Sequence, residues 1–350
     1  MFEEIDTPAV LVDLDIAEAN ISRFQAHCDA HGLAVRPHIK THKLPYLAAR
    51  QIAAGATGIT CQKISEAEAM IAGGGIDDVL LTYNVIGKSK LARLRGLADR
   101  VRLTVVADNP VIVAGLSEAF TESADPLRVL VECDTGAARC GVPTPEAAAE
   151  LADCISTAPG LHFAGLMTYP PVGREEAVQD WLARAKALIE AQGQNVEVVS
   201  NGGSPGMWKA EAVSIATEYR IGTYVYMDRS LVEQGVCQWG DCALTVLATV
   251  VSVPATDRAV IDAGSKVLTS DLLGLEGHGH VVERPDILVA NLSEEHGVLT
   301  APEIGLKVGD RIRIVPNHAC VVSNMLDCVE LIRGTRHQER MPVQARGQVW

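Results

Sequence analysis

The sequence predicts a (β/α)8 barrel followed by an all-β domain. Three observations carry the prediction. Short β-rich runs recur about every 25 residues, and Ala-rich segments of helical period lie between them. Eight such units fit in about 200 residues, which a (β/α)8 barrel requires, whereas a doubly wound sheet usually stops at roughly five to seven strands. After Leu231 the helical period disappears and strands joined by turns take over.

The eight runs are "LAVRPHIK" (33–40), "TGITCQ" (57–62), "DDVLLTYN" (77–84), "VRLTVVAD" (101–108), "LRVLVECD" (127–134), "LHFAGLMTY" (161–169), "VEVVSN" (196–201) and "VSIATEYR" (213–220). Helices are expected at 16–30, 45–54, 65–72, 145–156 and 175–191. Most runs end on a polar residue: Lys40, Gln62, Asn84, Asp108, Asp134, Tyr169 and Asn201. In a barrel these ends share one mouth, where active sites assemble. The run "PAVLVDLD" (8–15) precedes the first helix and is expected to pair with the later strands. The domains are therefore set at 14–230 for the barrel and 1–13 plus 231–350 for the β domain.

Charge and composition limit the function. With 30 Lys and Arg against 44 Asp and Glu, the 350-residue chain has a formal net charge of −14, which argues against a nucleic-acid surface. It is 48% hydrophobic and 4% aromatic, the composition of a globular protein with an aliphatic core. "MFEEIDTP" has no basic segment followed by an apolar run, and no stretch approaches the roughly 20 apolar residues that span a bilayer. The nine cysteines are scattered, without the spacing of a disulfide framework. A cytoplasmic protein, not bound to membranes, is expected.

In so acidic a chain "RPHIKTHK" (36–43) is conspicuous. Strand alternation puts Arg36, His38 and Lys40 on one face. With that face inward, Lys40 stands at the mouth above a cation, and positive charge and desolvation both lower an amine's pKa, as a Schiff-base lysine needs. Taken alone, Lys40 and Lys43 read as solvated loop lysines. "SNGGSPG" (200–206) and "YRIGTY" (219–224) follow the seventh and eighth strands, where barrels usually cradle phosphate on backbone N–H groups. Together with the lysine they point to a phosphorylated aldehyde cofactor. "DTGAARCGV" (134–142) sets Arg139 after the fifth strand, as a cofactor contact or as an ordinary turn arginine. In "VPNHAC" (315–320), His318 and Cys320 are one residue apart; in an extended segment they face the same way and can share one divalent ion. His42 supports Lys40 or the phosphate, or is packing.

These motifs, with "DTPAVLVDLD", "GITCQKISEAE", "TEYRIGTYVYMD" and "VIDAGSK", resemble the fold-type III pyridoxal-phosphate enzymes, the alanine-racemase-like group. Within that group the chain is most similar to the D-threonine aldolase and D-serine dehydratase family, over essentially its whole length. The resemblance implies that Lys40 anchors the cofactor. It implies Gly202, Gly203, Ser204, Gly222 and Thr223 as phosphate ligands, with Asn201 and Tyr224 also binding the cofactor. Arg139 is implied at the phenolic oxygen, Arg220 at the pyridine nitrogen and Tyr169 as an active-site tyrosine. His318 and Cys320 are implied as metal ligands; nitrogen plus sulfur suits Zn2+, with Mn2+ open. A homodimer is implied as well.

The activity implied is retro-aldol cleavage of D-β-hydroxy-α-amino acids, D-threonine giving glycine and acetaldehyde. A dehydratase acting on D-serine or D-threo-3-hydroxyaspartate uses the same parts and is the second reading. Racemization has no need of a hydroxyl-binding metal. A non-catalytic pyridoxal-phosphate carrier with a single barrel would lack both the β domain and the metal pair. Some aldolases have a histidine shortly after the tyrosine, proposed as a base; here Pro170, Pro171 and Val172 follow Tyr169. The base is then expected to be metal-bound water or another side chain.

Overall fold

Repeated strand and helix units of the first two thirds of the chain form one parallel sheet in the computed structural model, which describes residues 2–350. In chain order the elements are β1 (Ala9–Asp13), α1 (Leu14–Ala30), β2 (Ala34–Pro37), α2 (Pro45–Ala53), β3 (Ile59–Cys61), α3 (Ile64–Ala72), β4 (Asp78–Leu81), α4 (Lys88–Ala98), β5 (Arg102–Ala107), α5 (Pro110–Phe120), β6 (Leu127–Cys133), α6 (Pro145–Thr157), β7 (Leu161–Thr168), α7 (Glu175–Ala191), β8 (Val198–Asn201) and β9 (Glu218–Ile221). Local chemistry starts several helices. Asn109 and Thr144 cap α5 and α6, accepting from the amides of Ile112 and Ala147 at 3.1 Å, and each cap precedes a proline whose missing N–H costs nothing there.

The chain divides into two compact units. One contains Phe24–Lys40, Pro45–Gly222 and Gln348–Trp350; the other contains Thr41–Leu44, Thr223–Gly347 and the segment up to Arg23. In the first unit the parallel strands run in the order β2-β9-β8-β7-β6-β5-β4-β3. The two ends, β2 and β3, meet through one bridge between His38 and Thr60, helped by the Thr57 amide donating to the Val35 carbonyl at 3.0 Å. The barrel is thus closed by a narrow seam. Its middle is filled by Leu80, Val106, Leu130, Ala164 and Met167, a packed core rather than a pore. In β7, Gly165 has φ +141° and lies so close to β8 that a Cβ would fall 1.9 Å from the Val198 carbonyl oxygen; only glycine fits.

The second unit continues with α8 (Arg229–Glu233), β10 (Leu244–Ala255), β11 (Arg258–Ile261), α9 (Ser265–Leu268), β12 (His280–Val281), β13 (Leu288–Leu292), β14 (Gly297–Thr300), β15 (Arg311–Val315), α10 (Ala319–Met325), β16 (Cys328–Arg333) and β17 (Arg336–Pro342). Because β10 pairs with both β11 and β15, six strands close on themselves in the order β10-β11-β14-β13-β12-β15. The early run takes its place here: β1 pairs with β10 antiparallel and with β16 parallel. Two short helices, α9 and α10, interrupt a region whose sequence promised only strands and turns. Among the described residues, no helix is long and apolar enough to cross a membrane, and all nine cysteines are free.

Candidate functional site

The mouth of the barrel gathers most of the basic residues singled out in the sequence. β2 stops at Pro37, and Ile39–Thr41 form a single 3-10 turn. Lys40 therefore lies in a turn and is exposed, so strand alternation is not what orients it. His38 is buried. Its Nδ1 accepts from the Lys40 amide at 3.4 Å, and its Nε2 lies 3.2 Å from Gln62 Oε1, itself held by Thr82. With Nδ1 accepting, Nε2 carries the proton and the ring is neutral. Burial, and then the nearby Lys40, Arg220 and Arg139 charges, hold its pKa well below the usual value.

Arg36 does not stand beneath Lys40 as a free cation. It sits near the opposite end of the barrel, where Nε meets Glu218 at 2.5 Å and Nη1 meets Asp78 at 2.6 Å. These residues line a cavity of about 220 Å³ with Arg102, Arg128 and Thr104. Arg36 is a paired structural charge. The expectation failed because alternation gives the face of a side chain, not the direction in which a long one bends along the barrel axis.

Arg220, on β9, is the Cα partner of Arg36. It is buried, with Nε donating to Ser200 Oγ at 3.0 Å and Nη2 to the Thr168 carbonyl. Burial lowers its pKa to about 10, against the opposing pull of Glu218 and Glu132. Glu132, at the end of β6, is raised to about 6 by burial first and Asp108 second, with Arg139 and Arg220 pulling the other way. Arg139 is exposed, its guanidinium 4.8 Å from the centre of the Tyr169 ring. The turn after β8 is tight: at Gly202 (φ +133°) a Cβ would lie 2.4 Å from the Arg220 carbonyl oxygen, and at Gly203 it would press on Tyr169 at 3.2 Å. The Gly203 carbonyl accepts from Tyr219 Oη at 2.9 Å. Ser204, buried, opens the 3-10 segment Ser204–Ala212. Three buried polar atoms at strand ends, Tyr83 Oη, Asn84 Oδ1 and Asn201 Oδ1, have no hydrogen-bond partner in the chain, although such groups are nearly always satisfied. Orphaned polar atoms, glycine backbone and three cations suit a polar, anionic ligand such as pyridoxal phosphate.

The barrel unit ends at Gly222, while Thr223 and Tyr224 belong to the second unit, in the 3-10 turn Thr223–Val225. That unit also holds His318 and Cys320. The pair does not lie in an extended segment as expected: His318 is extended and holds the N-cap position of α10 without a side-chain cap bond, and Cys320 sits in the first turn of that helix. The cap, not strand alternation, brings them to hydrogen-bonding reach of each other.

Asp228, which the sequence did not single out, organises this region. It is fully buried; Oδ2 accepts from the Ala319 amide at 3.0 Å and from His318 Nδ1 at 3.1 Å, while Oδ1 accepts from Ser230 Oγ at 2.7 Å and from the Leu231 amide at 3.2 Å. A carboxylate can only accept, so His318 Nδ1 donates to Asp228, and Nε2 is the nitrogen left to face Cys320 or to bind a metal that displaces its proton. This is the usual support of a metal-binding imidazole. Cys320 Sγ lies 3.1 Å from Thr41 Oγ1 and 3.4 Å from Thr223 Oγ1. Burial opposes ionisation of both groups. The bonds from Asp228 and Cys320 nevertheless raise His318 to about 10, and His318 lowers Cys320 below the usual thiol value. The thiolate is the form that ligates metal, so the donor set fits a borderline divalent ion such as zinc. His42 is fully buried, its Nδ1 accepting from the Leu44 amide at 3.0 Å, a packing and turn role.

Comparison with known proteins shows the family to which the chain belongs. Residues 12–230 match the alanine racemase, N-terminal domain family, and residues 243–332 match the serine dehydratase domain family. The chain is 33% identical to a D-threonine aldolase of Arthrobacter sp. over 98% of this chain and 93% of that protein. The crystal structure of D-threonine aldolase from Filomicrobium marinum superposes with a TM-score of 0.93 at 34% identity, covering 100% of this chain and 98% of the other. A cysteine-to-alanine mutant of a D-threo-3-hydroxyaspartate dehydratase, solved in the metal-free form, superposes with a TM-score of 0.88 at 28% identity, covering 99% and 98%.

Proposed function

Since the chain belongs to the D-threonine aldolase and D-serine dehydratase family of alanine-racemase-like enzymes, we propose that it is a pyridoxal-phosphate- and metal-dependent lyase. It cleaves D-β-hydroxy-α-amino acids, D-threonine giving glycine and acetaldehyde. The observation that carries this reading is the Asp228–His318 hydrogen bond beside Cys320. A supported imidazole and a favoured thiolate make a ligand pair, and two protein ligands leave positions for water and a substrate hydroxyl. The dehydratase relative solved metal-free as a cysteine mutant supports a cysteine ligand. The ion is Zn2+ by donor type, with Mn2+ second.

When bound, the pyridine ring supplies an electron sink for the Cα–Cβ bond, and the metal a Lewis acid for the β-hydroxyl. Lys40 supplies the amine that anchors the cofactor aldehyde. Asn201, Gly202, Gly203, Ser204, Gly222, Thr223 and Tyr224 are assigned to its phosphate, Arg220 to its ring nitrogen and Arg139 with Tyr169 to its phenolic side. Neutral His38 accepts from the Lys40 amide and fixes the turn that presents this lysine. In the overall reaction the β-hydroxyl loses its proton, Cα–Cβ breaks and Cα gains a proton. Glu132, with its pKa near 6, holds or releases a proton close to neutral pH. We assign 14–230 to the cofactor barrel, 1–13 with 231–350 to the β domain carrying the metal pair, and the cytoplasm as the compartment. The assembly is a homodimer, which gel filtration tests.

Product analysis with D-threonine and D-serine decides the reaction. Glycine with acetaldehyde is expected; ammonia with 2-oxobutyrate or pyruvate would transfer the chain to the dehydratases, which the match of residues 243–332 keeps as the second reading. His318→Ala should remove the dependence on added metal while cofactor binding persists.

A further inference from the structure

Away from the residues used above, the barrel unit brings three ligand-type side chains to one spot. His27 lies in the last turn of α1, His31 follows four residues later and Glu211 lies near the end of the 3-10 segment Ser204–Ala212. One ligand atom from each falls within 4.8 Å of the others. Four residues are about one helical turn, so the two imidazoles come close, with ring centroids 4.9 Å apart and planes tilted at 59°. Glu211 Oε2 is 3.3 Å from His27 Nε2. Two donors at 2.0–2.1 Å from a tetrahedral ion lie about 3.4 Å apart, so this edge is already at coordination spacing.

The direction of the donors is as informative as their distance. His27 Nε2 is shielded from solvent and makes no hydrogen bond, although the carboxylate is within reach. The two groups stand side by side without addressing each other, as ligands do around a third body. The His27 ring is fixed in that pose by Phe24, stacked at 6.1 Å, and by the edge of Trp208 at 5.4 Å. His31 and Glu211 are exposed, so an ion can enter from solvent and water can complete its coordination.

We propose that His27, His31 and Glu211 form a second metal site, for a divalent transition ion of the zinc class, separate from the His318–Cys320 pair. Two imidazoles and one carboxylate are hard enough to need no thiolate and select against calcium and magnesium, which take oxygen ligands. The ion ties the end of α1 to the segment that begins at Ser204. Its effect is that of a clip between distant stretches of one unit, restricting the unfolded chain. The proposal does not rest on the reaction assigned above.

The test is the zinc content of the cofactor-loaded full chain after equilibrium dialysis against Zn2+. His31→Ala should bind one ion per chain fewer than the wild type, with lyase activity at saturating metal kept within about twofold. Glu211→Gln, which preserves shape, should weaken binding of that ion about tenfold or more. In a His318→Ala background, Zn2+ should still raise Tm, and adding His31→Ala should abolish the rise. Equal zinc content in the wild type and His31→Ala, or a Zn2+-dependent Tm rise that survives both substitutions, would overturn the site.

Discussion

Arg36 and Arg220 are register partners on adjacent strands, the same residue type at the same height of one barrel, yet they serve opposite ends. Arg36 meets Glu218 and Asp78 directly, and these two carboxylates hold its pKa up although burial opposes the charge. Arg220 is more deeply buried but reaches only a hydroxyl and a carbonyl, and burial lowers its pKa to about 10. A chain of hydrogen bonds joins them: Arg220 donates to Ser200, Ser200 to Glu218 Oε1 at 2.6 Å, and Arg36 to Glu218 Oε2. An arginine bracketed by carboxylates is finished business for the fold. One given only neutral acceptors keeps charge to offer a ligand, and its surroundings are the ones with orphaned polar atoms.

The largest effect that sharpens this contrast is at the mouth. Lys40→Ala should lower kcat by about a thousandfold or more, and borohydride should fix the cofactor to the wild-type chain but not to the variant, as read by intact mass. Because Lys40 is exposed in a turn, Tm of the apoprotein should stay within about 2 °C. At the other end, Arg36→Met takes the guanidinium away from both carboxylates, leaving Glu218 with Ser200 at 2.6 Å and Asp78 with Arg102 at 3.8 Å; breaking a buried pair costs about 3–5 kcal/mol, a fall in Tm of roughly 10 °C by calorimetry. Arg220→Met should reverse the pattern. It loses two buried hydrogen bonds, about 1–3 kcal/mol, but kcat/KM should drop about 10–100-fold. If it destabilised more than Arg36→Met and spared catalysis, the division between the two ends would be wrong.

The smallest effect is a pH dependence. Glu132 has a folded pKa near 6 against the usual 4.5 because it is buried beside Asp108. A raised carboxyl favours the folded state only while protonated, so its penalty sets in as pH rises through about 4.5 to 6. At about 1.4 kcal/mol for each pH unit between the two values, it reaches about 2 kcal/mol. Glu132→Gln should flatten that part of the stability curve in urea titrations between pH 4 and 8. An unchanged slope would mean that Arg139 and Arg220 already neutralise the carboxylate.

The barrel was legible because its evidence is periodic, β-rich runs about every 25 residues with Ala-rich segments between them, although α4 and α5 lie outside the helices expected from the sequence. The strand alternation used to orient Lys40 does not apply, since Pro37 ends β2 and a 3-10 turn sets the side chain's direction. His318 and Cys320 likewise come together through a helix cap. Asp228 could be read from "MDRSLVE" as a helix cap, and it does cap α8; nothing local reveals that its other oxygen meets an imidazole 90 residues away. Glu132 hides in a hydrophobic strand for the same reason. Pairings that depend on a closed sheet carry no local signal.

The narrow seam between β2 and β3 has a consequence of another kind. Other neighbouring strands in the barrel share two or more register pairs, whereas these share the His38–Thr60 bridge. Local opening begins where a sheet is least laced, so deuterium should enter the amides around His38 and Thr60 ahead of those in β5 to β7. Lys40 is two residues past that bridge. If Lys40 anchors the cofactor as proposed, the prosthetic group would hang on the selvedge of the barrel's fabric, where small excursions of the backbone are cheapest and where loading and release need the least unravelling.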